Sequence, residues 1–147
     1  MKRDLVIIGG GPAGLAAAVA AYDNGVKDVL IVEREERLGG ILLQCIHNGF
    51  GLTRFKESLT GPEYADRFVK EVLKRSIEYM TNATVLNVTK DKEVTIVNPE
   101  TGVLKIQAKA IILAMGCRER SRGALNIPGS RPAGIFSAGT AQKFINV

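Results

Sequence analysis

The sequence predicts an α/β fold in which a parallel sheet is joined to an antiparallel β-meander. Three observations carry that expectation. A short apolar run, Leu5-Val6-Ile7-Ile8, leads into a glycine cluster and then an alanine-rich stretch, which is the order strand, turn, helix. A second apolar run, Val29-Leu30-Ile31-Val32, closes a β-α-β unit of about thirty residues. From Val85 to Ile106 the pattern changes to three short β-rich segments separated by turn residues.

Each element has a local cause. The run Leu5–Ile8 has no polar alternation, as expected of a strand buried on both faces of a parallel sheet. From Pro12 the alanines favour helix and let it lie close to a sheet, and Asn24-Gly25 ends it with residues that tolerate a left-handed cap. The glycine-punctuated stretch from Arg37 to Gly61 is expected to be irregular, and a loop of that length in a small domain is usually functional. Thr60 and Glu63 have capping-box spacing with Pro62 in the first turn, and Tyr64, Phe68, Val72 and Leu73 give helical periodicity up to about Tyr79. Tyr64, Phe68 and Tyr79 are therefore expected in the helix core.

Val85–Val88, Val94–Val97 and Val103–Ile106 form the meander, turning at Asp91-Lys92 and at Pro99–Gly102. Ala110–Ala114 is expected as a further apolar strand ending at Gly116, with Cys117 packed under the loop that follows. Arg118 to Pro132 reads as loop. A last strand at Ile135-Phe136 and a short helix from Ala141 to Ile145 complete the chain.

Composition narrows the classes of function. A chain of 147 residues, 46% apolar and 24% charged, has room for one soluble domain with a proper core. The formal charge of +5 is spread among acids, as in Glu33-Arg34-Glu35-Glu36-Arg37. That is a solvated mixed surface, with no basic stripe of interleaved aromatics, so no nucleic-acid partner is expected. Cys45 and Cys117 lie far apart and match no zinc or redox spacing, which points to free thiols, no metal and a cytoplasmic setting. The apolar stretch after Met1-Lys2-Arg3-Asp4 is too short for a signal peptide, and no run approaches the roughly 18 apolar residues of a membrane span.

The segment Gly9-Gly10-Gly11-Pro12-Ala13-Gly14 contains G-x-G-x-x-G at Gly9, Gly11 and Gly14. Gly9 permits a tight turn out of the strand, Gly11 lets a diphosphate approach the backbone, and Gly14 lets the helix close on the first strand. The helix start then offers free N–H groups and the positive end of its dipole. Glu33 ends the second strand nineteen residues after Gly14, where its carboxylate can accept both hydroxyls of a ribose and repel a 2′-phosphate. A nucleotide site and a ligand-free glycine turn are the two readings of this segment, and its setting between buried strand and alanine helix favours the nucleotide.

Gly9–Gly14, Glu33 and the Gly39-Gly40 pair resemble the FAD-binding start of the pyridine nucleotide-disulfide oxidoreductase superfamily, the thioredoxin-reductase-like flavoproteins. Ala110-Ile111-Ile112-Leu113-Ala114-Met115-Gly116 is similar to that family's second FAD fingerprint, with Met115 in place of the usual threonine. The stretches Gly40–Gly51 and Cys117-Arg118-Glu119-Arg120 look most like a bacterial branch of NAD(P)/FAD-dependent oxidoreductases related to opine and amino-acid dehydrogenase flavoprotein subunits. The resemblance implies a Rossmann-like FAD/NAD(P)-binding domain covering residues 1–147, truncated, with no separate NAD(P)H domain. It also implies that Gly9, Gly11, Pro12, Ala13 and Gly14 line the pyrophosphate, that Glu33 holds the adenosine ribose and that Arg34 lies at the adenine edge. Gly39 and Gly40 would run toward the flavin, Thr84 and Val85 would meet adenine, and Gly116 would close over the cofactor.

The chain departs from that family in three places. Where many relatives have Cys-x-x-x-x-Cys after the Gly-Gly pair, this chain has Leu42 and His47 with Cys45 between, so disulfide chemistry is not expected. Cys45 is either a lone thiol near the flavin or a small loop residue, and His47 is either a flavin-side acid or base or a structural histidine. The catalytic residues are otherwise unknown. A second G-x-G-x-x-G and a late Gly-Asp motif are absent from the sequence. Ala133–Thr140 either echoes the late motif, with Thr140 in place of aspartate and the next helix aimed at the cofactor, or is a run-up to a missing nucleotide domain.

The resulting expectation is the FAD-binding part of a flavoprotein oxidoreductase, passing electrons between NAD(P)H or an organic substrate and an acceptor. A nucleotide domain or a partner subunit would complete it. The alternative is a nucleotide-binding module without turnover. A one-domain NAD-dependent dehydrogenase is disfavoured, because no Ser-Tyr-Lys or histidine-based catalytic group is visible.

Overall fold

The first apolar run becomes the inner half of a strand, β1, spanning Lys2–Ile8. Helix α1 (Pro12–Asp23) returns the chain to strand β2 (Val29–Val32). A short 3-10 helix, η1 (Gly40–Gln44), and a small hairpin, β3 (Asn48–Phe50) with β4 (Leu59–Thr60), occupy the long irregular stretch. Helix α2 (Gly61–Lys74) leads to strand β5 (Glu78–Met80). Strands β6 (Thr84–Val88), β7 (Glu93–Asn98) and β8 (Gly102–Leu113) follow, and helix α3 (Ala138–Asn146) lies at the end. The computed structural model describes residues 1–130 and 132–147. Arg131, within the stretch expected as loop, lies outside the described residues.

The six main strands run in the order β5-β2-β1-β8-β7-β6. β5, β2, β1 and the end of β8 are parallel, with Ile7 opposite Ile31 on one side and Ile112 on the other. The meander pairs antiparallel, with Ile96 opposite Leu104. Because side chains alternate along a strand, β1 and β2 feed two cores. Leu5, Ile7, Val29 and Ile31 turn toward α1 and α2, against Leu15, Ala18, Phe68 and Val72. Val6, Ile8, Leu30 and Val32 turn the other way, against Ala83, Val94, Ile96 and Ile106 of the meander side. The parallel sheet is thus covered by helices on one face and by the meander on the other, which is why β2 is buried along its whole length.

Four expectations need correction. Helix α2 stops at Lys74, not near Tyr79: Ser76 takes a left-handed φ of +53°, and Ile77 turns back into the core with its N–H on the Val72 carbonyl. Tyr79 consequently sits on β5, paired with Ile31 and exposed, while Phe68 is buried and Tyr64 half-buried in an aromatic cluster with Phe55. The third meander strand and the apolar strand after it are one strand, β8, whose residues 102–107 pair with β7 and whose residues 107–113 pair with β1. Ile135-Phe136 forms no strand and lies exposed, and α3 begins three residues earlier than expected, at Ala138. Cys117 is exposed, because β8 ends at Leu113 and the chain has already left the sheet before it, among exposed residues.

Candidate functional site

The glycine loop sits where β1 and β2 end. Gly9 takes a φ of +109°, and a Cβ there would lie 2.4 Å from the Ala114 carbonyl oxygen, so the turn out of β1 is pressed against the end of β8. A Cβ on Gly14 would lie 1.9 Å from the Gly9 carbonyl oxygen, a distance no atom pair tolerates. Both glycines are therefore required by the protein itself. Gly11 differs. Its φ is −78°, and its Cβ would meet only the Gly40 Cα, at the ordinary distance of 3.9 Å. The room beside Gly11 is space that the protein leaves open.

Gly11 is the N-cap of α1 and no side chain caps it. Pro12 lacks an N–H and suits the first helical position, and the first intrahelical bond is Leu15 N–H to the Gly11 carbonyl at 2.9 Å. The amides of the first turn are left for another acceptor. The other two helices contrast with this. At α2, Thr60 and Glu63 cap each other's amides. At α3, the Glu119 carboxylate accepts the Gly139 N–H at 2.9 Å and the Ser137 hydroxyl at 2.6 Å, and these bonds hold its carboxyl below the usual carboxylate range. The expected option of α3 aiming its N-terminus at a cofactor is overturned, because Glu119 occupies it and Thr140 shares its hydroxyl with Ser137 at 2.9 Å. Among the described residues, α1 is the one α-helix whose start stays open.

Glu33 lies at the end of β2 beside that opening. It is 6% exposed, and its two oxygens accept the Gly10 N–H at 2.6 Å and the Glu35 N–H at 2.9 Å. A carboxylate has about four acceptor sites, so the ion keeps capacity for a hydroxyl pair. Gly10, the unassigned middle residue of the motif, is the partner that sequence reasoning missed. A Cβ on it would lie 2.5 Å from Leu38 and 3.1 Å from the Glu33 carboxylate. The Leu38-Gly39-Gly40 segment is fixed to the same loop, through Gly39 N–H on the Gly10 carbonyl at 2.8 Å and through Gly40, whose Cβ would stand 2.9 Å from Gly11 Cα. Asn82 and Ala83 donate their N–H groups to the carbonyls of Glu35 and Glu33, which brings Thr84 and Val85 beside the end of β2. Arg34 is exposed there, with its Nε 3.4 Å from Glu35.

Gly116 takes a φ of +68° and a Cβ there would touch nothing within 4 Å, so its glycine character answers to backbone conformation rather than crowding. Cys45 is half-buried, and its thiol lies 3.3 Å from the Ile41 carbonyl. His47 is exposed, stacked near Phe50 at 5.1 Å, with Nδ1 3.2 Å from the Asn48 carbonyl. The side-chain hydrogen bonds of both residues are local, the Cys45 carbonyl accepts the Gly61 N–H at 2.8 Å, and neither residue is bonded to Glu33 or the glycine loop.

The site fits a dinucleotide on its own geometry: an open helix start for a diphosphate, an uncrowded Gly11 and a buried carboxylate one strand away. A family model described as pyridine nucleotide-disulphide oxidoreductase matches residues 3–145. Hydrogen cyanide synthase subunit HcnB of Pseudomonas protegens is 30% identical over 97% of this chain and 30% of its own length. An opine oxidase subunit of Agrobacterium tumefaciens is 30% identical over 95% of the chain and 28% of its own. Thioredoxin reductase of Mycolicibacterium smegmatis is 31% identical over 97% and 44% respectively. Among solved structures, Lactococcus lactis thioredoxin reductase in its FR conformation superposes with a TM-score of 0.64 and 28% identity, over 86% of this chain and 39% of that one. The chain spans less than half the length of each of these proteins. Among the described residues, no helix is long and apolar enough to cross a membrane.

Proposed function

This chain belongs to the pyridine nucleotide-disulphide oxidoreductase family, whose cofactor is FAD, and we propose that residues 1–147 act as the FAD-binding domain of a flavoprotein oxidoreductase. The observation that carries this reading is the open start of α1 beside a buried carboxylate, Glu33. The amides of Gly11, Ala13 and Gly14 hold the diphosphate, with the dipole of α1 behind them. Glu33 accepts the hydroxyls of the adenosine ribose while the Gly10 and Glu35 amides keep its carboxylate in place. Arg34 and the backbone of Thr84 and Val85 flank the adenine. Gly39 and Gly40 lead toward the flavin, and Gly116 closes over it. When bound, the flavin supplies reversible two-electron chemistry, and the chain binds and orients it.

The electrons pass between NAD(P)H or an organic substrate and an acceptor. The nicotinamide site and the rest of the enzyme lie in a further domain or a partner subunit, consistent with relatives of more than twice this length. Two free thiols, Cys45 and Cys117, suit a reducing, cytoplasmic setting. The test is the visible spectrum of the purified chain after incubation with FAD and gel filtration. Retained flavin absorbance supports the reading. Colourless protein that binds NAD by calorimetry overturns it in favour of a dehydrogenase.

A second reading is a binding module without turnover, in keeping with Cys45 and His47 making no bond to Glu33 or the glycine loop. Anaerobic NADH given to the chain together with its completing domain or partner separates the two, since bleaching of the bound flavin requires a working electron path.

A further inference from the structure

Helix α3 is held to the rest of the fold by polar contacts. None of its residues is buried; Phe144 and Ile145 are 70% and 82% exposed, and the Phe144 ring meets only Phe136, 5.4 Å away in the exposed segment just before the helix. Glu119, on the segment between β8 and α3, caps the helix start through the Gly139 N–H at 2.9 Å, and the hydrogen bonds from α3 to η1 run through Gln44. The Gln44 Nε2 donates to Gln142 Oε1 at 2.8 Å and to the Gly139 carbonyl at 3.3 Å, and Asn146 Nδ2 donates to the Gln44 backbone carbonyl at 2.8 Å. One ion pair adds to these, Lys143 Nζ with Glu35 at 3.7 Å. Gln44 itself is 9% exposed, one of three buried polar side chains among the described residues, beside Glu33 and Asn98.

The two attachment points adjoin the residues assigned to the two halves of the dinucleotide. Gln44 ends η1, and η1 begins at Gly40, against Gly11. Glu35 is the residue whose amide is tied to the Glu33 carboxylate. Consecutive residues of α3, Gln142 and Lys143, thus reach the phosphate side and the ribose side. We propose that α3 is a detachable cover over the bound dinucleotide and that Gln44 is its latch, a positioning residue that slows release of the cofactor. The proposal rests on the FAD reading above.

The physical logic is a two-state element. The Glu119 cap belongs to the segment that leads into α3 and can move with it, so a helix with no buried apolar face is held over the cleft by the Gln44 bonds and the Lys143–Glu35 pair, and it opens at low cost. Opening strips Gln44 of its partners, and closing restores them, which gives the closed state its preference.

The test uses the whole chain with Gln142→Ala and Asn146→Ala combined, both on α3 and neither buried in a core. FAD release is followed on dilution by the return of free-flavin fluorescence, and amide hydrogen exchange is measured over residues 138–146. The expected result is release on the order of tenfold faster, with faster exchange in α3, as loss of the Gln142 and Asn146 bonds implies. Faster exchange with wild-type release overturns the cover and leaves the FAD reading standing. Unchanged exchange overturns the latch. A wild-type chain that retains no FAD defeats the cofactor reading and the cover with it.

Discussion

The Glu33 carboxylate accepts the Gly10 amide at 2.6 Å, joining the end of β2 to the middle of the glycine loop. The residue assigned to the ribose therefore also shapes the loop assigned to the phosphates. Glu33→Ala is expected to weaken FAD binding by about 1–3 kcal/mol and to lower thermal stability even without cofactor, because two amides lose their acceptor. Glu33→Gln keeps one acceptor oxygen and is expected to retain most of the stability but less of the affinity. Titration calorimetry and thermal melts of the apo chain separate the two effects.

The glycines of the loop divide by what surrounds them. Gly11→Val is expected to fold normally, because its Cβ has open space and an ordinary φ, yet to retain no flavin. Gly14→Ala places an atom 1.9 Å from the Gly9 carbonyl and is expected to cost roughly 3 kcal/mol or more in stability. Circular dichroism melts together with bound-flavin absorbance read both outcomes. Normal flavin content in Gly11→Val would refute the phosphate assignment.

At the opposite end of the sheet Arg3 bridges Asp28 at 2.8 Å and Glu78 at 2.6 Å, tying β1 to the turn before β2 and to β5. The hydrogen bond from Arg3 holds the Asp28 carboxyl below its ordinary range. A lowered folded-state pKa contributes stability that is present above the unfolded value and lost as pH falls through the folded one. Arg3→Met is expected to cost about 1 kcal/mol at neutral pH, modest because Asp28 and Glu78 are solvent-facing. The gap from wild type should close below the ordinary carboxylate pKa of about 4. Urea melts across an acid pH series measure it.

Thr60 starts α2 with a reciprocal cap, its N–H on Glu63 at 2.8 Å and its hydroxyl under the Glu63 amide at 3.4 Å. Thr60→Ala is expected to destabilise the chain by about 1 kcal/mol while leaving flavin content unchanged, since the open helix start belongs to α1. A melt shift with constant absorbance at the flavin band is the outcome sought.

The parts of the fold legible in the sequence were those whose causes are local. The loop Gly9–Gly14, the Thr60 cap and the unbroken apolar runs of β1 and β2 state their geometry within a few residues. β5 is not legible because Glu78, Tyr79 and Met80 carry neither alternation nor a continuous apolar run, and the helical rhythm of α2 continues through Leu73 up to the left-handed turn at Ser76. β8 reads as two strands because it alternates through Lys105, Gln107 and Lys109, as a two-faced strand does, and turns uniformly apolar only from Ala110 to Leu113. Partners distant in the chain left no trace at all. Gly10 with Glu33, Gln44 with Gln142, and Glu119 with the start of α3 depend on the finished fold.

The continuity of β8 has a mechanical consequence. One twelve-residue ribbon is stitched to the meander at its beginning and to the nucleotide half at its end, where Ala114 backs Gly9. Tension or fraying at the Pro99–Thr101 bend is conducted along an unbroken backbone to the floor beneath the diphosphate. Insertions at that bend leave the ribbon whole and only lengthen its approach. One between Ile106 and Ala110 would shear the two halves out of register and unseat the loop that faces the cofactor.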